Sequence, residues 1–457
     1  MRKLFLSALG ALAPAAALAS APGQVDSGDT AIVLVSAGLV LLMTPGLAFF
    51  YGGLVRSKNV VHTMILSIVC MALVGVLWGL VSYSLSFSPG PGALDRFVGG
   101  LSWMGLRGVG AEVAKDLAPT VPHAAFMLFQ AMFAVITPAL ISGAIVERVR
   151  VKAYVLFIAL WSVVVYAPVA HWVWAPGGWL RQLGALDFAG GTVVHINAAS
   201  AALVFAIALG KRRGLRQPTV LPHNVPFAIL GAGLLWFGWL GFNGGSALAA
   251  NGLAAYAFSN TFFAPAAAAL AWGLAELFLF HGKMSGVGLA SGAVAGLVAV
   301  TPAAGFITPL ASIGLGAAAG LASLTAVRFR PRLGLDDSLD VFAVHGVAAT
   351  LGALLTGVLA SKVVNPDGAD GSLHLLGIQA LGVLATYLWS GSLSFGIIKL
   401  VGLVTPLRAD EQDEWSGLDV AESGERGYIA TDLESAAPQL SSEAHGHAPE
   451  MRHATAK

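Results

Sequence analysis

Apolar runs of about twenty residues recur from Asp29 to Thr405. A bilayer's hydrocarbon core is about 30 Å thick, and one such run wound as a helix crosses it. Lipid offers no partner to backbone N–H and C=O groups, so a spanning segment must be a helix or part of a closed barrel. The strict apolar–polar alternation of a barrel strand is missing, which leaves helices. Only 11% of the residues are charged, against roughly 25% in soluble domains. The net charge of +1 gives no pull toward nucleic acid. One polytopic domain is therefore expected rather than several soluble ones.

Spans are read at 29–52, 59–85, 121–147, 150–172, 190–210, 225–245, 253–280, 285–301, 304–327, 340–360 and 376–404. That is an all-α membrane domain of eleven helices over 29–404, with a polar tail at 405–457. Residues 1–19 read as a secretory signal peptide: Arg2 and Lys3, then an apolar stretch, then Ala17-Leu18-Ala19 before the cut. An uncleaved first helix is the alternative. The single cysteine, Cys70, lies inside a span, so no intramolecular disulfide is expected.

Basic residues gather in alternate loops. With the N-terminus outside, the inner loops hold Arg56, Lys58, Arg148, Arg150, Lys152, Lys211, Arg212, Arg213, Arg216, Lys283, Arg328, Arg330 and Arg332. The outer loops hold only Arg96, Arg107, Lys115, Arg181 and Lys362. The positive-inside rule thus puts the N-terminus outside and the tail in the cytoplasm.

Two histidines lie within the apolar runs, His195 in GGTVVHINAAS and His345 in VFAVHGVAAT. An ionisable group inside a membrane is costly and marks a pathway by default. The other histidines sit in loops, in the tail, or near span ends, where snorkelling reaches water. Asp187 precedes His195 by eight positions and Asp337 precedes His345 by eight. These helices are the fifth and tenth, so two five-helix units of odd span count insert in opposite senses. The expectation is a five-plus-five inverted repeat plus one extra helix, with both histidines meeting near the midplane. A hydrogen-bonded structural histidine is the plainer reading of either residue alone. No third ligand accompanies them to suggest a metal, and no nucleophile–base pair suggests an enzyme. The GxxxG patterns at Gly75, Gly292 and Gly316 read as helix packing.

The stretch GALDFAGGTVVHINAA (184–199) resembles the signature of the Amt ammonium transporters, in the Amt/Mep/Rh superfamily. The similarity continues through TPGLAFFYGGLVRSKN (44–59), FQAMFAVITPALISGAIVER (129–148), LPHNVPFAILGAGLLWFGWLGFNGGSAL (221–248), SGAVAGLVAVTPAAGF (291–306) and DVFAVHGVAATLGALLTG (340–357). It covers about 29–430. The resemblance implies an ammonium transporter without cofactor or metal, assembled as a homotrimer in the bacterial inner membrane. By it, Trp174, Phe133 and Ser246 would recruit ammonium at an outer site. Phe133 and Phe242 would gate the pore, with Phe129 close by. His195 and His345 would line the lumen and relay a proton. Asp187 and Asp337 would be structural supports. Methylammonium would be a further substrate.

The residue types suit these roles. A cation over Trp or Phe faces gains roughly 0.5–2 kcal/mol, and a serine hydroxyl accepts from N–H. Entering an apolar pore disfavours the charged amine; ammonium has a proton to shed and potassium has none. An aromatic belt is the alternative for Trp174, and belt or packing suffices for the other tryptophans, with Trp239 read as near the pore. WSGLDVAESGERGY (415–428) resembles the family's tail motif, with Ser423 where histidine is usual. The resemblance implies that the tail contacts a neighbouring subunit and that the inner face docks a PII-type signalling protein. An ammonium sensor of the same fold and a Rh-like channel for neutral gases are the competing readings.

Overall fold

A computed structural model describes residues 23–214, 221–280 and 282–428. The signal-peptide reading of 1–19 lies outside the described residues, as do Arg216, His281, and the tail beyond Tyr428 with its three histidines.

Among the described residues ten helices are long and apolar enough to cross a membrane. They are α1 (Ser27–Leu54), α2 (Ser57–Phe87), α3 (His123–Ile145), α4 (Val151–Gln182), α5 (Gly191–Leu209), α6 (Val225–Ala247), α7 (Gly252–Phe280), α9 (Pro309–Leu333), α10 (Phe342–Leu359) and α11 (Leu373–Val404). The expected span at 285–301 is present as α8 (Gly286–Val300), which has 15 residues. At 1.5 Å per residue it is about 22 Å long, short of the hydrocarbon core. Buried turns at 301–306 continue its path. A short antiparallel pair, β1 (Val113–Ala114) and β2 (Ala118–Pro122), leads from the loop after α2 into α3.

Helix α1 packs along α6, α3 against α5, α7 against α8 and α9, and α8 against α10. The last helix, α11, lies across α5 and α10. The faces turned inward are small and apolar, and α3 is buried along most of its length.

Helices α5 and α10 start inside the protein, so His195 and His345 fall in their first turns rather than at their middles. Polar stretches explain this. The Asp187 carboxylate, 8% exposed, accepts from the backbone N–H groups of Gly190, Gly191, Thr192 and Val193 at 2.7–3.2 Å. Those are the donors that a helix start leaves orphaned. Gly190 has φ +115°, and a Cβ on Gly191 would sit 2.6 Å from Pro302, so neither position accepts a side chain without strain. Asp337 does the same for α10, accepting from the N–H groups of Val341 and Phe342 at 3.0 and 2.7 Å. Both first turns, Gly191–Ile196 and Phe342–Val347, are π-helical, a widened form common at functional sites.

Loops at the Arg/Lys-rich end are tied by buried ions. Arg212 grips Asp336 through Nε and Nη2 (3.1 and 2.8 Å) and reaches Glu147 Oε2 at 2.8 Å. Arg56 Nε holds the other Glu147 oxygen at 2.8 Å. Burial alone would push the Glu147 carboxyl up; the guanidiniums of Arg212 and Arg56 hold it at about 2.

The tail folds back onto these loops. Helix α12 (Glu411–Ser416) is held by Arg408, whose Nη2 lies 2.9 Å from Glu414 Oε2, and by Lys58, which donates to the Glu414 carbonyl. Asn59 Oδ1 accepts from Leu418 N–H, and Asp419 accepts from His62 N–H. Ser423 donates to the Asp419 carbonyl at 2.6 Å, closing the last turn.

Candidate functional site

Three cavities follow one another through the helix bundle. The outer one, about 450 Å³, is lined by Phe126, Gln130, Phe133, Trp174, Asp187 and Ser246 among others. Positions 126, 130 and 133 share one face of α3 at helical spacing. The second is a lumen of about 10 Å³ lined by His195, His345, Trp239, Phe242 and aliphatic side chains such as Leu140 and Val294. That volume is at the lower limit for a single water. The third, about 500 Å³, opens toward the ion-tied loops and is lined by Glu276, Ser291, Arg330, Asp340 and Val344.

Phe133 belongs to the outer cavity and Phe242 to the lumen, so this pair is the partition between them. Their ring centroids are 4.2 Å apart with the planes inclined at 39°. Trp174 meets Phe133 edge-on at 5.8 Å. The indole N–H of Trp174 donates to the Asp187 carbonyl at 3.0 Å, and Arg181 donates to the Trp174 carbonyl. Ser246 donates to the Phe242 carbonyl at 2.8 Å, which leaves its own lone pairs as acceptors. Trp174, Phe133 and Ser246 thus come together as read from the sequence. Phe129 packs edge-on behind Phe133 at 4.9 Å and lines neither the outer cavity nor the lumen. It backs the partition.

Below Phe242 the rings of His195 and His345 lie nearly parallel, inclined at 15° with centroids 5.4 Å apart, and meet edge to edge through their Nδ1 atoms at 3.3 Å. Two neutral imidazoles so joined share one proton between the Nδ1 atoms. One ring must then carry a hydrogen on Nε2 and the other a bare lone pair there. His195 Nε2 is buried with no hydrogen-bond partner among the described residues. Aligned with the lumen, the pair offers one donor and one acceptor.

Trp239 packs nearly parallel to the His195 ring with centroids 5.2 Å apart, and its N–H donates to Thr301 Oγ1 at 2.8 Å. Read from the sequence as near the pore, Trp239 lines the lumen, and its packing on His195 is what the sequence could not show. Gln130 was missed, and only its sharing a face with Phe133 hints at it. At the mouth of the third cavity Asp340 pairs with Arg330, Nε to Oδ1 at 3.1 Å. Asp187 and Asp337 do not touch the lumen; they hold the starts of the two histidine helices.

One test of that support is Asp187→Asn. The amide keeps a single acceptor and adds donors facing backbone N–H groups, at a cost of about 3 kcal/mol. The expected result is a melting temperature in detergent several degrees below wild type. An unchanged melting curve counts against the helix-start role.

The profile of the Ammonium Transporter Family matches residues 31–428. The chain is 49% identical over 409 residues to an ammonium transporter of Bacillus subtilis, a match spanning 88% of this chain and 99% of that relative. Among solved structures, Candida albicans Mep2 superposes with a TM-score of 0.80 at 37% identity, covering 90% of this chain and 92% of that one. A sensor Amt protein superposes with a TM-score of 0.79 at 30% identity, covering 87% and 98%. From the profile and from relatives aligned over most of both lengths, the chain belongs to the ammonium transporter family.

Proposed function

We propose that this chain is a multi-pass ammonium transporter of a bacterial cytoplasmic membrane. It recruits NH4+ among Trp174, Phe133 and Ser246, takes its proton, and conducts NH3 past Phe133 and Phe242 through the histidine lumen. The observation that carries this reading is the Nδ1-linked His195–His345 pair in an otherwise apolar lumen, one aromatic partition below an aromatic-walled cavity.

The physical sequence is as follows. Ring faces attract the cation and Ser246 accepts one of its N–H groups. The lumen below is apolar and barely large enough for one small molecule. A charged amine loses its hydration there without replacement, so the neutral form is favoured. NH3 can donate to the bare Nε2 of one histidine and accept from the N–H of the other. The released proton either returns outward or passes along the histidine pair. Potassium has no neutral form to offer.

We further propose eleven membrane helices, α8 being the short one, in a five-plus-five inverted repeat with the N-terminus outside. Equivalent pairings support it: α2 with α3 and α7 with α8, α3 with α5 and α8 with α10, and matching Asp-capped π turns in α5 and α10. The distribution of Lys and Arg supports the orientation. The homotrimer and a PII-type partner at the inner face rest on family resemblance, and the tail 405–428 lies on the loops where such a partner would dock.

Reconstituted protein tests the reading. Proteoliposomes given an inward ammonium gradient are expected to take up ammonium or methylammonium faster than empty vesicles, with no uptake of potassium. A current on adding ammonium distinguishes proton co-transfer from conduction of NH3 alone. The likeness to a sensor Amt protein favours signalling as the second reading; correctly inserted protein that binds ammonium but carries no flux supports it.

A further inference from the structure

Where the tail folds back over the start of α2 it leaves a pocket of about 290 Å³, away from the three cavities of the bundle. The first turn of α2 lines it with Ser57 and Lys58, and the tail lines it with Asp419, Arg426 and Tyr428 among others. Its unspent groups are donors. Lys58 gives two of its three N–H groups to the carbonyls of Glu414 and Trp415, so one remains. Arg426 forms no hydrogen bond or ion pair with the described residues, which leaves its five N–H groups unused. Ser57 is exposed in the same wall, and its hydroxyl can turn to donate.

The pocket's one carboxylate is already spent. Asp419 is 2% exposed, its Oδ1 accepts from His62 N–H at 2.8 Å, and the N–H groups of Val60 and Val61 also reach it. Its charge is thus turned down onto the start of α2. Two cations are left sharing a small space with no acceptor between them. The frame around them is fixed. Lys58 is pinned by its two carbonyls. Arg426 lies between the turn closed by Ser423 and the Tyr428 hydroxyl, which bonds His223 Nε2 at 2.9 Å. A site held in this way binds without first ordering its backbone.

We propose that this pocket binds a small phosphate-bearing anion, gripped by Arg426, by the remaining N–H of Lys58 and by Ser57. A planar guanidinium matches paired phosphate oxygens, and an ammonium adds a point charge beside it. The volume lies close to the lower end of small-molecule sites, about 300 Å³. It has room for a phosphate with a compact organic group against the Tyr428 ring. Lys58 belongs to α2 and Arg426 to the tail, so the anion ties one to the other. Occupancy therefore sets how firmly the tail is seated. The proposal does not depend on what crosses the pore.

The test adds sodium phosphate, against sodium chloride of equal ionic strength, to the full-length protein in phosphatidylcholine nanodiscs. Calorimetry reads binding, and the melting temperature reads its effect. Wild type is expected to bind phosphate and to melt at a higher temperature with it. Arg426→Gln should bind about tenfold more weakly, the loss of a charge-assisted hydrogen bond, with Arg426→Lys in between. Arg426 is exposed, so both variants should fold. Wild type that ignores phosphate overturns the proposal, and so does an Arg426→Gln protein with wild-type affinity. Nanodiscs containing phosphatidylglycerol identify the source of the phosphate. The same phosphate response there supports a soluble phosphate ester. A melting temperature already raised without added phosphate, in wild type but not in Arg426→Gln, supports a lipid headgroup in the pocket.

Discussion

Alanine at His195 is expected to lower ammonium flux in proteoliposomes by about 30- to 100-fold, the loss of one or two hydrogen bonds to a molecule that has no water to replace them. The change does three things. It removes the bare or protonated Nε2 that faces the lumen, orphans His345 Nδ1, and takes away the ring on which Trp239 stacks. The last effect widens the passage, so discrimination against potassium should fall as flux falls. His345→Ala is expected to behave alike. The double variant should be scarcely worse than either single one, since either substitution already destroys the shared Nδ1 contact, and residues acting as a unit are not additive. Flux and ion selectivity measured side by side for the three variants decide the point. If both single substitutions leave flux and selectivity at wild-type values, the pair is structural.

The second large effect concerns stability. Arg212 is the only cation seen to hold both Glu147 and Asp336 by close ion pairs among the described residues, and all three side chains are nearly sealed from solvent. Arg212→Gln leaves two buried carboxylates short of their counter-charge. Removing one partner of a buried ion pair costs about 3–5 kcal/mol. The melting temperature in detergent should drop sharply and the yield of inserted protein with it. The pH dependence carries a definite sign. Glu147 is held at about 2 in the folded protein, below the roughly 4.3 of a free glutamate. Its contribution is therefore complete above that higher value and fades as pH falls toward 2. Wild type should lose stability across this acid window, and the Arg212→Gln protein should lose less, having less to lose. Equal melting temperatures at neutral pH would contradict the assignment.

Much of the molecule is legible in one sequence because lipid narrows the choices. Apolar length gave the spans within a few residues at most ends, and it even marked α8, although the helix proper stops at Val300 and buried turns follow it. The two Asp–His spacings carried the main relation. What the spacing could not carry was depth: the histidines read as mid-span, whereas they lie in first turns of helices that begin inside the protein. Polar DFAGG and DSLD stretches look like surface loops by composition, and only the carboxylate caps make them tolerable indoors. The contact of Trp239 with His195, and the place of Gln130 in the outer wall, were hidden for a different reason. Each is an ordinary residue in its own helix, and its surroundings come from what another helix brings opposite. The buried ion group joins residues as far apart in sequence as Arg56 and Asp336, and no local pattern announces such contacts. Phe129, grouped with the gate by resemblance, backs Phe133 from outside the two cavities.

The Nδ1–Nδ1 contact has a consequence for traffic in single file. With one proton shared between two neutral rings, the pore is polar along its axis, giving hydrogen at one end and taking it at the other. A file of hydrogen-bonded molecules threading past must keep one orientation. If a proton hops along the two rings, the shared hydrogen ends up on the opposite nitrogen and the polarity reverses. The next proton then meets a file pointing the wrong way until rings or molecules turn over. On the proposed mechanism the pair would work as a ratchet tooth that passes one charge and then has to be reset, so the same contact that would let a single proton through would hold back a continuous leak.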